Sequence, residues 1–223
     1  MGPADGGMRG DRVSRTRFVA VLTAAGVLTA CSSAGGDDYG LSDYSLVRVQ
    51  RVQVGDGSMT VAPVRPWNRH HAVMFEDIRD VEDWTLNGPL LDGMSFVTGL
   101  RNGKSLIRQR RTTSQQVPIF RSNMTPPEIA AMLESLYRVR GGAVDFRTLS
   151  IQPRPFLGTT GFQFDYEHLD GDELWRRGRA VGAVVNGELY LVLLDAAKLH
   201  YYEMTLPDFE AVVTSAQLKA IRS

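Results

Sequence analysis

The sequence predicts an α+β fold, a mainly antiparallel sheet with helices packed on it, and two observations carry that prediction. In the C-terminal third, apolar and polar residues alternate over several segments that are separated by turn sequences such as Asn186-Gly187. Two other segments space their apolar residues three and four positions apart, as on one face of a helix. We expect the helices at residues 126–139 and 207–219.

The first half of the globular region predicts short strands. Residues 45–54 alternate between apolar and polar side chains, and Gly55 to Ser58 can form a tight turn. The chain would then return as a second strand over 59–64, which ends near two prolines. Residues 65–80 show no such pattern and are predicted to form an irregular loop.

Two further strands are predicted at residues 81–86 and 91–100, separated by Asn87-Gly88-Pro89. The dipeptide Asn102-Gly103 is typical of a hairpin turn. We therefore expect residues 104–111 to run back against residues 94–100.

The first helix has a well-marked start. Thr125 and Glu128 form a capping box around two prolines, and proline is favoured at the first helical position. One face then carries apolar residues at helical spacing: Ile129, Met132, Leu133, Leu136 and Tyr137. Gly141-Gly142 ends the helix.

The C-terminal strands are specified in more detail. Asn186-Gly187 predicts a two-residue type I′ turn, which sets Val184, Gly182 and Ala180 opposite Leu189, Leu191 and Leu193. In the preceding hairpin, we expect Gly178 and Ala180 opposite Phe164 and Phe162, and Asp165 opposite Arg177. Residues 189–194 are apolar on both faces, so the sheet needs cover on both sides. Residues 207–219 would supply part of that cover through Phe209, Val212, Val213 and Ala216.

The N-terminal segment carries the signature of export. Four arginines precede an uncharged run from Phe18 to Ala30, and the run ends in Leu28-Thr29-Ala30-Cys31. This tetrapeptide resembles the lipobox of bacterial lipoproteins, in which the chain is cut between the residues here numbered Ala30 and Cys31. The resemblance implies that the Cys31 thiol is acylated, while an ordinary secretory signal and an uncleaved anchor remain alternatives. Met1 or Met8 could be the start.

This interpretation divides the chain into a lipoprotein signal peptide (1–30), a flexible tether (31–44) and a single globular domain (45–223). Multiple acyl chains would fix Cys31 to a membrane, with the domain facing the periplasm. Ser32 after the cysteine slightly favours the outer membrane over the inner one. Basic and acidic residues balance at 25 each, so no strong field attracts nucleic acid.

The order of strands, helix, antiparallel strands and terminal helix resembles the layered α/β/α sandwich of PsbP-like proteins over roughly residues 45–220. No diagnostic motif accompanies this element order. Members of that family are lipid-anchored or lumenal proteins that mostly assist assemblies without catalysis of their own. The resemblance therefore implies a non-catalytic role with an envelope protein as partner.

Motifs for chemistry are missing from the sequence. Gly93 to Val97 lacks the closing glycine of a serine hydrolase elbow, and Gly103-Lys104-Ser105 lacks the first glycine of a phosphate loop. The pair His70-His71 near Glu76 and Asp77 has no known metal-site spacing. We predict neither a metal nor a cofactor, and His168 and His200 are interpreted as half-exposed structural residues.

Arginines offer the one speculative site. Arg110 on one predicted strand and Arg177 and Arg179 on another could bind an anion if the strands were neighbours. The alternative is that these arginines pair across strands with acids such as Asp165 and Glu167, and the balanced charge favours it.

The sequence thus leads to a lipid-anchored envelope protein that is not an enzyme and serves as an interaction or assembly module. A carrier or sensor of an amphipathic ligand is the alternative, with a pocket between Phe162, Phe164 and the first helix. An enzyme with a scattered site is a third hypothesis. The three Trp residues, Trp67, Trp84 and Trp175, are expected in the core or at its rim.

Overall fold

A computed structural model describes residues 44–70, 81–106, 118–140 and 142–219. Within these ranges the chain forms two helices and eleven strands. The strands are β1 (Tyr44–Val47), β2 (Val52–Val54), β3 (Met59–Val61), β4 (Trp67–His70), β5 (Val81–Thr85), β6 (Asp92–Arg101), β7 (Asp145–Pro153), β8 (Phe162–Leu169), β9 (Trp175–Val185), β10 (Glu188–Ala197) and β11 (Gln217–Leu218). The helices are α1 (Pro126–Arg140) and α2 (Tyr201–Ser215).

Eight strands form one antiparallel sheet in the order β1-β4-β5-β6-β10-β9-β8-β7. A second, three-stranded sheet has the order β11-β3-β2. The large sheet is covered on both faces. Helix α1 packs on one face, and α2 with the small sheet packs on the other. The predicted α+β sandwich is therefore observed.

Strand β10 lies at the centre of this arrangement because its side chains alternate between the two cores. Leu189, Leu191 and Leu193 pack with the buried stripe of α1. Tyr190, Val192 and Leu194 pack with Phe209 and its neighbours on α2. The prediction that this strand needs cover on both faces is confirmed.

Helix α1 agrees with the prediction in its bounds and its buried face. Glu128 accepts hydrogen bonds from the Thr125 amide at 2.7 Å and from its hydroxyl at 2.9 Å, so the two residues cap the helix together. Ile129, Met132 and Leu133 are fully buried.

Helix α2 begins six residues before the predicted position 207 and ends at Ser215 rather than 219. Pro207 lies inside the helix, because Tyr202 and Thr205 before it are buried against the core. The Thr205 hydroxyl donates back to the carbonyl of Tyr201 at 2.5 Å and therefore does not cap a helix start. Burial here outweighs the local signal of a proline at a helix start.

The first strands differ from the prediction in three places. Residues 45–54 do not form one strand, because β1 joins the large sheet and β2 joins the small one. Part of the expected loop, Trp67 to His70, is strand β4, which pairs with β1 on one side and β5 on the other. The turn from β2 to β3 forms as expected and pairs Val54 with Met59.

The predicted hairpin over 104–111 is wrong for the residues that the structure describes. Strand β6 has β10 on one side and, from Met94 to Val97, β5 on the other, so a returning strand cannot pair with that stretch. Lys104 instead pairs with Phe120, whose amide donates to the Lys104 carbonyl at 2.8 Å. Residues 107–117 lie outside the described ranges.

The C-terminal hairpins preserve the predicted faces but not every register. Both turn residues Asn186 and Gly187 have positive φ, 53° and 82°, and Val184 lies opposite Leu189 as expected. The β8–β9 pairing is shifted by two residues, so Asp165 lies opposite Arg179 rather than Arg177. The loop between these strands is longer than predicted, and a shift of two keeps each side chain on its face.

Candidate functional site

A group of charged side chains lies on the α1 face of the large sheet, where the apolar residues of β8, β9 and β10 give way to polar ones. His168 continues the face of Phe164 and Tyr166, and Asp195 continues that of Leu191 and Leu193. We call His168, Asp170, Arg176 and Asp195 the α1-face cluster.

The cluster alternates positive and negative groups at contact distance. His168 Nε2 lies 2.8 Å from Asp195 Oδ2, and its Nδ1 lies 2.8 Å from Asp170 Oδ1. The Arg176 Nε donates to the other oxygen of Asp195, and its Nη2 donates to the Asp195 carbonyl at 3.1 Å. Arg176 Nη1 also donates to the carbonyl of Leu90 at 2.6 Å, which ties the β5–β6 turn to the cluster.

Aromatic rings from α1, β7 and β8 pack against the α1-face cluster. The hydroxyls of Tyr137 on α1 and Tyr166 on β8 lie 2.6 Å apart, and Tyr166 donates to the Leu194 carbonyl at 3.3 Å. The Tyr137 ring lies 4.7 Å from the His168 ring, and Phe146 stacks on Tyr166 at 5.2 Å. Only 2% of the His168 side chain is exposed.

Electrostatics keep His168 and Asp195 charged in spite of their burial. Burial alone would lower the pKa of His168, but the carboxylates of Asp170 and Asp195 outweigh it and raise the pKa to about 9. Burial would raise the pKa of Asp195, and His168 and Arg176 instead hold it below its usual range. Burial raises the pKa of Tyr137 and of Tyr166 well above 10.

This arrangement limits the chemistry that the cluster can perform. At neutral pH, His168 is protonated and both of its ring nitrogens face carboxylates, so it has no lone pair with which to accept a proton. Two cations and two anions neutralise one another. The geometry is that of a charged clamp between strands and a turn.

The sequence analysis missed this cluster and interpreted His168 as half-exposed. Asp195 binds both His168 and Arg176. A signal was present. Phe162, Phe164, Tyr166 and His168 share one face at period two, so a buried aromatic face implies a buried histidine that needs a partner.

A second group of charges fastens α2 to the opposite face of the sheet. We call Asp165, Arg179, Glu210 and Arg154 the α2-face cluster. Arg179 donates to Asp165 at 2.6 Å and to Glu210 at 2.7 Å, and Glu210 also accepts from Arg154 at 2.5 Å. Burial would raise the pKa values of Asp165 and Glu210, but the arginines hold both below their usual range.

The arginines of the speculative anion site are engaged by their own chain where the structure describes them. Arg179 belongs to the α2-face cluster. Arg177 lies 4.8 Å from the ring centroid of Tyr202 and 3.6 Å from Glu203. Arg110 lies outside the described residues, so a site built from all three stays a prediction.

The carrier hypothesis places its pocket between Phe162, Phe164 and α1. Phe162 and Phe164 are buried against α1, and Gly178 and Gly182 let rings approach the sheet closely. The structure does contain an open groove of about 400 Å³ between β1 and β2, lined by polar residues and by Leu46, Val47 and Val52. Trp67 and Trp84 are buried in the core, and Trp175 lies at its rim under Arg147.

No three potential metal ligands converge among the residues that the structure describes. His71, Glu76 and Asp77 are outside those residues, as are Ala30 and Cys31 with the whole predicted signal and most of the tether. Among the described residues, the two helices are too short or too polar to cross a membrane.

No protein-family model matches the chain, and no curated protein matches it. Among solved structures, it is similar to CyanoP, the cyanobacterial PsbP of Synechocystis sp. PCC 6803. The TM-score is 0.53 at 14% identity, over 84% of this chain and 99% of CyanoP.

Two more distant structures match as well. The protein PA94 of Pseudomonas aeruginosa, of unknown function and described as a putative regulator, has a TM-score of 0.42 at 9% identity, over 79% of this chain and all of PA94. LpqN, involved in cell envelope biogenesis of Mycobacterium tuberculosis, has a TM-score of 0.34 at 11% identity, over 83% of this chain and all of LpqN. The likeness to CyanoP shows that the chain has a PsbP-like α+β fold.

Proposed function

We propose that this chain is a lipid-anchored protein of the cell envelope, held on a membrane by acylated Cys31, and that it is a non-catalytic interaction or assembly module. The observation that carries the proposal is the position of the only cysteine, directly after Leu28-Thr29-Ala30 at the end of a signal-like run. Two or more acyl chains on that cysteine hold a protein on a bilayer durably.

The described domain supports a module rather than an enzyme. Its two charged clusters neutralise themselves, and their geometry joins strands, a turn and a helix. A general acid or base must face a cleft and must be in the protonation state that its task requires. His168 is buried rather than facing a cleft, and it is held protonated by two carboxylates.

Metabolic labelling with a clickable palmitate analogue tests the anchor. Wild-type protein should carry the label and sediment with membranes, and Cys31→Ala should lose the label and the membrane association together. Ser32→Ala is the matched control, since it changes the adjacent residue and leaves the thiol in place. Label that persists in Cys31→Ala would contradict acylation at this position.

Crosslinking of the anchored protein in intact cells, followed by mass spectrometry, tests the module. We expect one envelope protein to be recovered reproducibly with the wild type and lost when Cys31→Ala releases the domain from the membrane. Recovery of no reproducible neighbour would count against an assembly role.

A further inference from the structure

Five of the nine large apolar residues that are exposed in the described part of the chain lie in loops at one end of the large sheet. The solvent-exposed fraction is 57% for Val49, 58% for Val64, 74% for Leu90, 67% for Val144 and 84% for Leu199. We call these five residues the apolar row. Each belongs to a loop that leads into or out of a strand of the large sheet.

The antiparallel registers place all five loops at the same end. Val47 lies opposite Trp67, so the chain just beyond β1 and the chain just before β4 are neighbours. The Leu91 carbonyl accepts from the Ala197 amide at 2.9 Å, which brings the loops of Leu90 and Leu199 together. The Val144 amide donates to Leu169 at 2.8 Å, at the end where β8 passes into β9.

Specific contacts hold two of the loops that carry the apolar row, those of Leu90 and Leu199. The Leu90 carbonyl accepts from Arg176 of the α1-face cluster at 2.6 Å. Leu199 precedes His200, whose φ of 74° and ψ of −56° form a tight turn closed by the Tyr201 amide and the Leu199 carbonyl at 2.9 Å. The strained backbone of His200 holds the Leu199 side chain towards solvent, which indicates that Leu199 contacts something other than its own domain.

The row suits a bilayer better than a protein partner. Its tips are spread along a sheet eight strands wide, roughly 34 Å from edge to edge at the usual strand spacing. A protein interface needs a contiguous apolar centre, whereas lipid closes around each separate tip. Both charge signs occur nearby, Arg48 and Arg65 against Asp172 and Glu173, so apolar insertion rather than charge would drive the contact.

The tether can bring this end to the membrane. Thirteen residue steps separate Cys31 from Tyr44, which allows a reach of at most about 45 Å. Strand β1 is four residues long and runs from Tyr44 towards the row.

We propose that the apolar row inserts into the surface of the bilayer that anchors the chain, so that the domain rests on its membrane by this end. The proposal rests on the proposed lipid anchor, and it adds an orientation that the anchor alone does not set.

The single cysteine permits a test that does not depend on acylation in cells. The mature chain, residues 31–223, retains every described residue and is coupled through Cys31 to a maleimide-bearing lipid in phosphatidylcholine vesicles. Hydrogen exchange is then compared between coupled protein and protein capped with a soluble maleimide. We expect amides of residues 86–91 and 197–200 to exchange roughly tenfold more slowly on vesicles. The turns at Asn102-Gly103 and Asn186-Gly187, at the opposite end, should not change.

The double variant Leu90→Gln/Leu199→Gln should lose this protection. Ile119→Gln/Leu149→Gln is the matched control, since it replaces two exposed apolar residues outside the row and should keep the protection. Thermal unfolding of both variants checks that they fold.

Unchanged exchange in the coupled wild type, or equal protection in both variants, would overturn the proposal. Protection that appears only at high surface density would assign the row to a second copy and would also overturn it. If any of these results is found while Cys31 carries palmitate in cells, the proposed membrane contact of the apolar row is rejected and the proposed lipid anchor is retained.

Discussion

Gly178 lies on β9 beneath Tyr166, where the absence of a side chain lets the ring reach the sheet. A Cβ added at Gly178 would lie 2.1 Å from Cζ of that ring, far inside any permitted contact. The sequence predicted that this glycine faces an aromatic ring, although it named Phe164 rather than Tyr166. The reasoning from size was sound, and the loop length between β8 and β9 caused the error.

We expect Gly178→Ala to lower the free energy of unfolding by about 1–3 kcal/mol, because the ring must shift within a packed core. Urea unfolding followed by fluorescence measures the change. Gly93→Ala is the control in the same sheet, where the nearest atom to an added Cβ is 3.8 Å away. Equal losses in both variants would contradict the close contact with Tyr166.

At the scale of the element, α2 is fastened by its buried stripe and by Glu210, which joins two arginines. Arg154 directly follows the edge strand β7 and Arg179 lies on β9, so one carboxylate connects the helix to two parts of the sheet. The sequence predicted the buried stripe of α2 but not the contact between Glu210 and Arg154. Arg154 follows β7, and the residues of β7 show no alternation of apolar and polar side chains from which a strand could be predicted.

Glu210→Gln should lower the free energy of unfolding by about 1 kcal/mol, because partly exposed ion pairs contribute modestly even in a network. Glu203→Gln, on the same helix with a single arginine 3.6 Å away, should cost less than about 0.5 kcal/mol. Thermal unfolding of both variants compares them. A larger loss in Glu203→Gln would show that the α2-face cluster does not hold the helix.

At the scale of the whole molecule, the sequence predicted the layers better than the connections. Period-two alternation and the Asn186-Gly187 turn determined the central strands, since these signals are local. Strand β4 and the placement of β6 between β5 and β10 depend on partners distant in sequence, which local patterns do not encode. The α1-face cluster was missed because its four members come from separate strands and a turn.

The α1-face cluster predicts how the stability of the whole domain depends on pH. The pKa of His168 is about 9 in the folded chain against an ordinary 6.5, so its protonated form stabilises the fold. This contribution, up to about 3 kcal/mol, is fully present below pH 6.5 and is lost as the pH rises through about 9. The free energy of unfolding should therefore decrease between these pH values.

Urea unfolding at a series of pH values checks this dependence. His168→Gln should be less stable than the wild type below pH 6.5, and the difference should shrink towards pH 9. His70→Gln, on β4, should keep the wild-type slope. A His168→Gln variant with an unchanged slope would assign the titration to another group.

Strand β10 has a further consequence for how the sequence can vary. Its residues from Leu189 to Leu194 contact one core or the other and leave no solvent side, so a change at any of them disturbs a layer. Loops and sheet margins can diverge freely, whereas this hexapeptide admits only apolar replacements of similar volume. Distant relatives that share almost no residues should therefore still be recognisable by one uninterrupted hydrophobic segment just before the last helix.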